Sequence, residues 1–271
     1  LFALSQAHEI NWVTTILGFV ILHFFIFPSS NGYNSYQDRD ESSIGGLKHP
    51  PKVSVNLYYA TLLFDSIAVL SSLFISVIFS LLLVVFITMS RLYSYRRIRL
   101  KQYPLLAFII VFIFQGGFVF LMASESIMPY SFRGFFTADN IICMMISSLF
   151  IGSMYPLTQI YQHESDKKDG VISISYKLGY TGTFVFSGIL FAIAVILFFV
   201  YLNRNHQLNV LPVFLLLILP VMIHLGRWFG RVRKDHSNAD YENTMTANIL
   251  SSSGMNLFFF ILIMNNQFTL I

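Results

Sequence analysis

The chain has 271 residues, of which 55% are hydrophobic, 17% aromatic and only 11% charged, with a net charge of +4 and a mean hydropathy of +0.66. A soluble domain carries about 25% charged residues, so this composition excludes a water-facing surface. It also excludes a disordered tail, a nucleic-acid-binding module and a secreted disulfide scaffold; the lone cysteine, Cys143, has no second cysteine to bridge to. An integral membrane protein remains.

A helix needs about 20 apolar residues to cross about 30 Å of hydrocarbon. The chain opens on Leu-Phe-Ala-Leu and then turns polar, which reads as the stub of a first helix. Apolar runs of spanning length follow at 12–30, 55–72, 74–90, 104–123, 138–158, 178–201, 209–226 and 245–265. The expected fold is therefore an all-α polytopic bundle of nine transmembrane helices, the first truncated, with residues 1–271 forming a single domain.

Basic residues fix the orientation, because Lys and Arg gather on the cytoplasmic side of short loops. Fifteen of the 17 lie in four segments, 39–52, 91–101, 167–177 and 227–234; the others are Arg133 and Arg204. The four basic segments are expected on the cytoplasmic face, with a bacterial inner membrane as the setting. The run 53–90 holds no basic residue and begins and ends beside basic segments. It must cross twice, with a tight turn near Ser71–Ser76.

Two polar clusters fall at cytoplasmic ends of spans. The first runs from Asn31 to Lys52 and holds Asn34, Asp38, Asp40 and Glu41; the second runs from Tyr155 to Gly170 and holds Gln162, Glu164, Asp166 and Asp169. In each an amide precedes a carboxylate by four residues, Asn34 before Asp38 and Gln162 before Asp166, which puts both on one helical face. Either cluster alone is also what a solvated helix end looks like. Together, beside excess Lys and Arg, they suit Mg²⁺ bridging a diphosphate, because Mg²⁺ takes a few protein oxygens and completes its shell from water and phosphate. The aromatic, apolar interior suits a lipid tail. Between the clusters, residues 91–101 carry five basic residues in eleven, which is both a phosphate clamp and an ordinary cytoplasmic loop.

At these residues the sequence resembles the UbiA-type intramembrane prenyltransferases. Asn34-x-x-x-Asp38-Arg39 is similar to the start of the family's first aspartate motif. Tyr93-Ser94 followed by Arg99-Leu100-Lys101 is similar to its Y-S-x-x-x-x-R-L-K loop. Asp166-x-x-x-Gly170, running into Ser173 and Leu178-Gly179, is similar to its second aspartate motif. The resemblance implies Mg²⁺-assisted ionisation of a prenyl diphosphate and alkylation of an aromatic or lipid-like acceptor inside the membrane. It implies Asn34, Asp38 and Asp166 as the catalytic residues and as metal ligands. Glu41, Gln162 and Asp169 are further candidate ligands, and Arg39, Lys48, Tyr93, Arg99 and Lys101 the candidate diphosphate ligands. The sequence departs from the pattern at Ser42 and Gln162, where the family has aspartates.

Those departures keep a non-catalytic prenyl-lipid-binding protein in view. Asp65, a carboxylate inside an apolar run, keeps a transporter in view and is a functional candidate on its own account. Its alternative is a structural carboxylate bonded to a hydroxyl. His23 and His224 stand isolated within spans and read as hydrogen-bonded interior residues. Gly116-Gly117 reads as a close helix contact.

Overall fold

A computed structural model of the chain describes residues 1–7, 9–39, 43, 47–129 and 136–268, and among these every regular element is a helix. We number them α1 (Phe2–Ser5), α2 (Trp12–Asp38), α3 (Val55–Ser72), α4 (Val77–Ser94), α5 (Pro104–Ile127), α6 (Ala138–Lys168), α7 (Ile174–Arg204), α8 (Leu208–Lys234) and α9 (Tyr241–Asn266). The eight helices α2 to α9 are long and apolar enough to cross a membrane. Phe74 is 81% exposed and Val13 78%, a surface that only hydrocarbon can cover. The protein is an integral, multi-pass membrane protein.

Local chemistry starts the helices where the sequence indicates. Asn11, Ser76, Thr137 and Ser173 each accept a hydrogen bond from the backbone N–H three residues on, at 2.9 to 3.3 Å. Such caps satisfy one of the donors that a helix start leaves free. Pro104 opens α5 at a position where its missing N–H costs nothing. The turn between α3 and α4 falls within residues 73–76, as the charge pattern requires. After Leu1 the opening residues form the four-residue α1, Phe2–Ser5, whose Phe2 ring packs 4.7 Å from Phe259 and 5.1 Å from Phe120.

Between lipid-bathed helices the driving force is packing rather than water exclusion. Phe198 of α7, Phe214 of α8 and Phe258 of α9 are fully buried with centroids 5.0 to 5.7 Å apart, tying these helices together. On the other side Ile21, Phe79, Leu83 and Met122 join α2, α4 and α5. Gly116 supplies the close contact expected of it, since a Cβ there would lie 2.8 Å from the Ser148 backbone nitrogen on α6. The neighbouring Gly117 N–H donates to Ser148 Oγ at 2.9 Å.

Four irregularities shape the interior. Turns of π-helix interrupt α2 at Ile21–Ile26 and α5 at Phe112–Gly117. Past the internal Pro156, α6 tightens to a 3₁₀ turn at Ile160–Gln162 before resuming at His163. In α7, Gly179 (φ 67°, ψ 175°) breaks the helix one turn after its start. An inserted or deleted residue per turn shifts helical phase, so each irregularity changes which side chains face inward.

Candidate active site

The last turns of α2, the end of α4, the first half of α5 and the C-terminal end of α6 enclose one cavity of about 620 Å³. Its mouth is polar: Asn34 and Asp38 from α2, Ser94 from α4, Lys101 from the following loop, and Gln162 and Asp166 from α6. Its walls are Phe86, Met89, Ile110, Val111 and Phe114, joined by Tyr93, Tyr155, Gln159 and Gln115.

Asn34 and Asp38 share a face because α2 stays helical through residue 38. The Lys101 ammonium reaches both, donating to Asn34 Oδ1 at 3.1 Å and pairing with the Asp38 carboxylate. Ser94 Oγ donates to the same amide oxygen at 2.8 Å. Arg99 Nη2 lies 3.2 Å from Asp38 Oδ1 and also pairs with Asp169, while Nη1 donates to the Asp169 carbonyl at 3.0 Å. Arg96 adds a bond to the Asp38 carbonyl at 3.2 Å. The loop after α4 thus ties the end of α2 to the end of α6. Asp38 and Lys101 are each 11% exposed and Arg99 12%, so solvent does little to screen these pairs.

Arg99 adopts φ 44°, in the left-handed region, which costs a side-chain-bearing residue of order 1–3 kcal/mol. The two carboxylates it bridges hold it there. Burial works against its charge, but Asp169 and Asp38 outweigh it, and the guanidinium pKa is raised. On α6, Gly170 (φ 74°) ends the helix, with its N–H donating to Lys167 O at 3.1 Å and that of Val171 to Asp166 O at 2.8 Å. That closure, open to glycine without strain, fixes the backbone of Asp166 at the mouth. Deeper in, Tyr93 and Tyr155 share a hydrogen bond of 2.7 Å, and Gln159 Nε2 donates to Tyr155 at 2.8 Å.

The pattern of the UbiA prenyltransferase family matches residues 1–250. The chain belongs to that family. It is a membrane prenyltransferase, an enzyme of prenyl transfer at the level of the family. Solved structures share the fold. A UbiA homologue from Archaeoglobus fulgidus bound to GPP and Mg²⁺ is 18% identical, with a TM-score of 0.64 over 97% of this chain and 93% of that one. The same homologue bound to DMAPP and Mg²⁺ gives 17% and 0.64 over 97% and 91%. Digeranylgeranylglyceryl phosphate synthase gives 21% and 0.58 over 97% and 88%. The chain matches no curated protein sequence.

In this UbiA-family protein, six of the residues singled out from sequence meet at the cavity: Asn34, Asp38, Tyr93, Lys101, Gln162 and Asp166. Arg99 stands behind Asp38, and the Asp169 carboxylate is turned to Arg99 rather than lining the cavity. Arg39 and Lys48 do not join them. The first is exposed because α2 ends at Asp38 and Arg39 reverses the chain at φ 57°; the second, also exposed, pairs with Glu242. Glu41 lies outside the described residues, as do Asp40 and Ser42. Among the described residues no three His, Cys, Asp or Glu side chains converge as a metal-binding group.

Asp65 has a structural partner. It pairs with Arg91, with Nε at 3.2 Å, and accepts from Ser29 Oγ at 2.6 Å. His224 bonds the Asn243 carbonyl at 3.0 Å, whereas His23 is exposed and bonds within its own helix, 3.1 Å from Phe19 O. Sequence reasoning did not single out Tyr155, Gln159 or Gln115 for the site. The spacing Tyr155, Gln159, Gln162, Asp166 is a polar stripe on one helical face, and it carried the signal for the first two.

Proposed function

We propose that this enzyme transfers a prenyl group from a prenyl diphosphate to a hydrophobic, aromatic or lipid-like acceptor, assisted by Mg²⁺, with the cavity mouth on the cytoplasmic side. The observation that carries this reading is the mouth, where carboxylates from two separate helices, Asp38 and Asp166, line the same space as Lys101. The placement of 15 of 17 basic residues supports the orientation.

The donor set suits Mg²⁺. Two carboxylates and the amides of Asn34 and Gln162 leave positions for phosphate oxygens and water, which is how Mg²⁺ is held in phosphate-binding sites. Bound there, the ion neutralises charge on a departing diphosphate. The chain's own residues do the rest. Lys101 offers a point charge to the diphosphate, and Arg99 holds Asp38 and the loop in place from behind. Phe86, Phe114, Tyr93 and Tyr155 keep water from the reacting carbon, and their ring faces suit a transient allylic cation. The bond between C1 of the prenyl chain and the diphosphate oxygen breaks, both electrons leaving with the diphosphate. A nucleophilic atom of the acceptor bonds C1, and the proton it loses passes to the released diphosphate.

The test is pyrophosphate release from purified protein given geranyl diphosphate and a panel of acceptors, with Mg²⁺ or with EDTA. Wild type is expected to need Mg²⁺, and Asp38→Ala and Asp166→Ala are expected to lose on the order of 100-fold in turnover, the scale of a lost transition-state contact. Mg²⁺-dependent release that neither substitution alters refutes the site. Saturable binding without release turns the reading toward a prenyl-lipid-binding protein.

A further inference from the structure

Helix α8 stands apart from the cavity, and none of its residues lines it. Its outward face is apolar for most of its length: Leu216 is 66% exposed, Leu219 50% and Ile223 46%. Spacings of three and four carry that face on through Arg227, Gly230, Arg231 and Lys234, all of them exposed. A stripe suited to hydrocarbon thus runs, within one helix, into a row of cations. Arg227 directly follows the apolar run 209–226, so it stands where acyl chains give way to headgroups. Gly226 and Gly230 leave open space beside it, since a Cβ at either would meet nothing within 4 Å.

These cations have no counter-ion in the described protein. Among the described residues Arg227, Arg231, Arg233 and Lys234 form no ion pair, whereas Arg91, Arg96, Arg99 and Lys101 each pair with a carboxylate. Three carboxylates follow α8 closely in sequence, and each is engaged elsewhere. Asp235 accepts from Ser237 N at 2.9 Å and from its Oγ at 2.7 Å. Asp240 accepts from Asn243 N at 2.7 Å and from its Nδ2 at 2.8 Å, and Glu242 pairs with Lys48. Arg231 donates to the neutral amide of Asn243 at 2.5 Å, and Arg233 lies 5.8 Å over the Phe229 ring. The bias of Lys and Arg toward one membrane face accounts for cations at this end. It does not account for three neighbouring carboxylates turned away from them.

The partner that fits carries both features, an acyl chain for the stripe and an anionic headgroup for its end. A phosphodiester accepts two parallel N–H bonds from one guanidinium, and Arg227 and Arg231, four residues apart, present two guanidinium groups on one helical face. A free anion gains nothing from Leu216, Leu219 and Ile223, and a neutral lipid leaves the cations unmatched. Lys and Arg clustered at the end of a spanning helix attract anionic lipid, each charge near the surface contributing about fivefold in affinity.

We propose that the end of α8 binds an anionic phospholipid of the surrounding leaflet, held by Arg227, Arg231 and Lys234 with an acyl chain along Leu216, Leu219 and Ile223. The site is separate from the prenyl-transfer cavity and stands or falls without that reading. Its test is native mass spectrometry of the full chain, purified in detergent and titrated with phosphatidylglycerol or with phosphatidylcholine of the same acyl chains. Wild type should bind the first phosphatidylglycerol at least about 10-fold more tightly, three charges at about fivefold each setting an upper scale of about 100-fold. Arg227→Gln/Arg231→Gln/Lys234→Gln should lose that preference, and Arg227→Lys/Arg231→Lys, which keeps the charge, should retain most of it. Neutralising three cations that form no ion pair elsewhere, Lys52→Gln/Arg97→Gln/Lys168→Gln, should leave the preference unchanged. Equal affinity of wild type for the two lipids, a preference that survives the first triple substitution, the same loss in the second, no preference in the charge-conserving pair, or displacement of the lipid by millimolar inorganic phosphate each overturns the proposal.

Discussion

Asp65 offers the sharpest separation of structure from catalysis, because its surroundings permit a calculation. Its carboxylate pairs with Arg91, whose Nη2 also donates to Ser29 Oγ at 2.9 Å and whose guanidinium lies 4.0 Å over the Tyr33 ring. The side chains are 16% and 18% exposed, so the pair is largely desolvated, and Arg91 Nη1 is already buried without a partner. Removing Asp65 strands a buried cation, and losses of that kind run about 3–5 kcal/mol. Asp65→Leu and Arg91→Met should each destabilise the protein by about that amount. The double variant buries no charge at all and should recover most of the loss, giving a coupling of about 5 kcal/mol or more in a double-mutant cycle. Unfolding by SDS titration in mixed micelles measures the cycle, and pyrophosphate release by the double variant measures function. The double variant should turn over within a few-fold of wild type. Single variants of wild-type stability refute the structural account, and a double variant that folds but is inactive moves Asp65 into the chemistry.

Two further outcomes follow from other contacts. Gly116→Ala sets a methyl group against the Ser148 backbone, which cannot swing aside as a side chain can, so it should cost about 1–3 kcal/mol in the same titration; a neutral result would mean that α5 and α6 are not held at that distance. Arg99→Lys keeps the charge but not the fork that bridges Asp38 and Asp169. It should raise the KM for geranyl diphosphate several-fold more than it lowers stability, since Lys101 remains to pair Asp38; equal stability and an unchanged KM would show that the bridge does not organise the mouth.

Much of this architecture is legible in the sequence because the bilayer permits few solutions. Hydropathy locates all eight spans, and the lack of basic residues across 53–90 forces the α3–α4 hairpin, since an odd number of crossings would put Arg91–Lys101 on the wrong side. Spacings of four bring Asn34 and Asp38 to one cation because α2 remains helical to its end. Legibility stops where the backbone leaves regular helix. Arg39 is adjacent to Asp38 in sequence, yet the reversal of the chain at that residue turns it outward. Asp169 follows Asp166 by three residues, a spacing that puts both on one helical face, yet it serves Arg99. Gln115 faces the cavity from within a π-turn, whereas counting 3.6 residues per turn assigns its facing as though the helix were regular.

The charge balance at the mouth gives these details a common logic. Asp38 accepts from Lys101 and Arg99, and Asp169 accepts from Arg99 and lies 3.6 Å from Arg96, so these two carboxylates are drawn to the loop after α4 rather than left to repel one another. A diphosphate entering this mouth competes with carboxylates for the same cations, and a divalent cation competes with Lys101 and Arg99 for Asp38. Binding either alone breaks pairs that are about nine-tenths buried, at a cost that neither fully recovers. Binding both together restores the balance, because each new charge finds the partner that the other has released. On the proposed reading, the mouth would therefore be occupied by anion and cation jointly rather than by either alone.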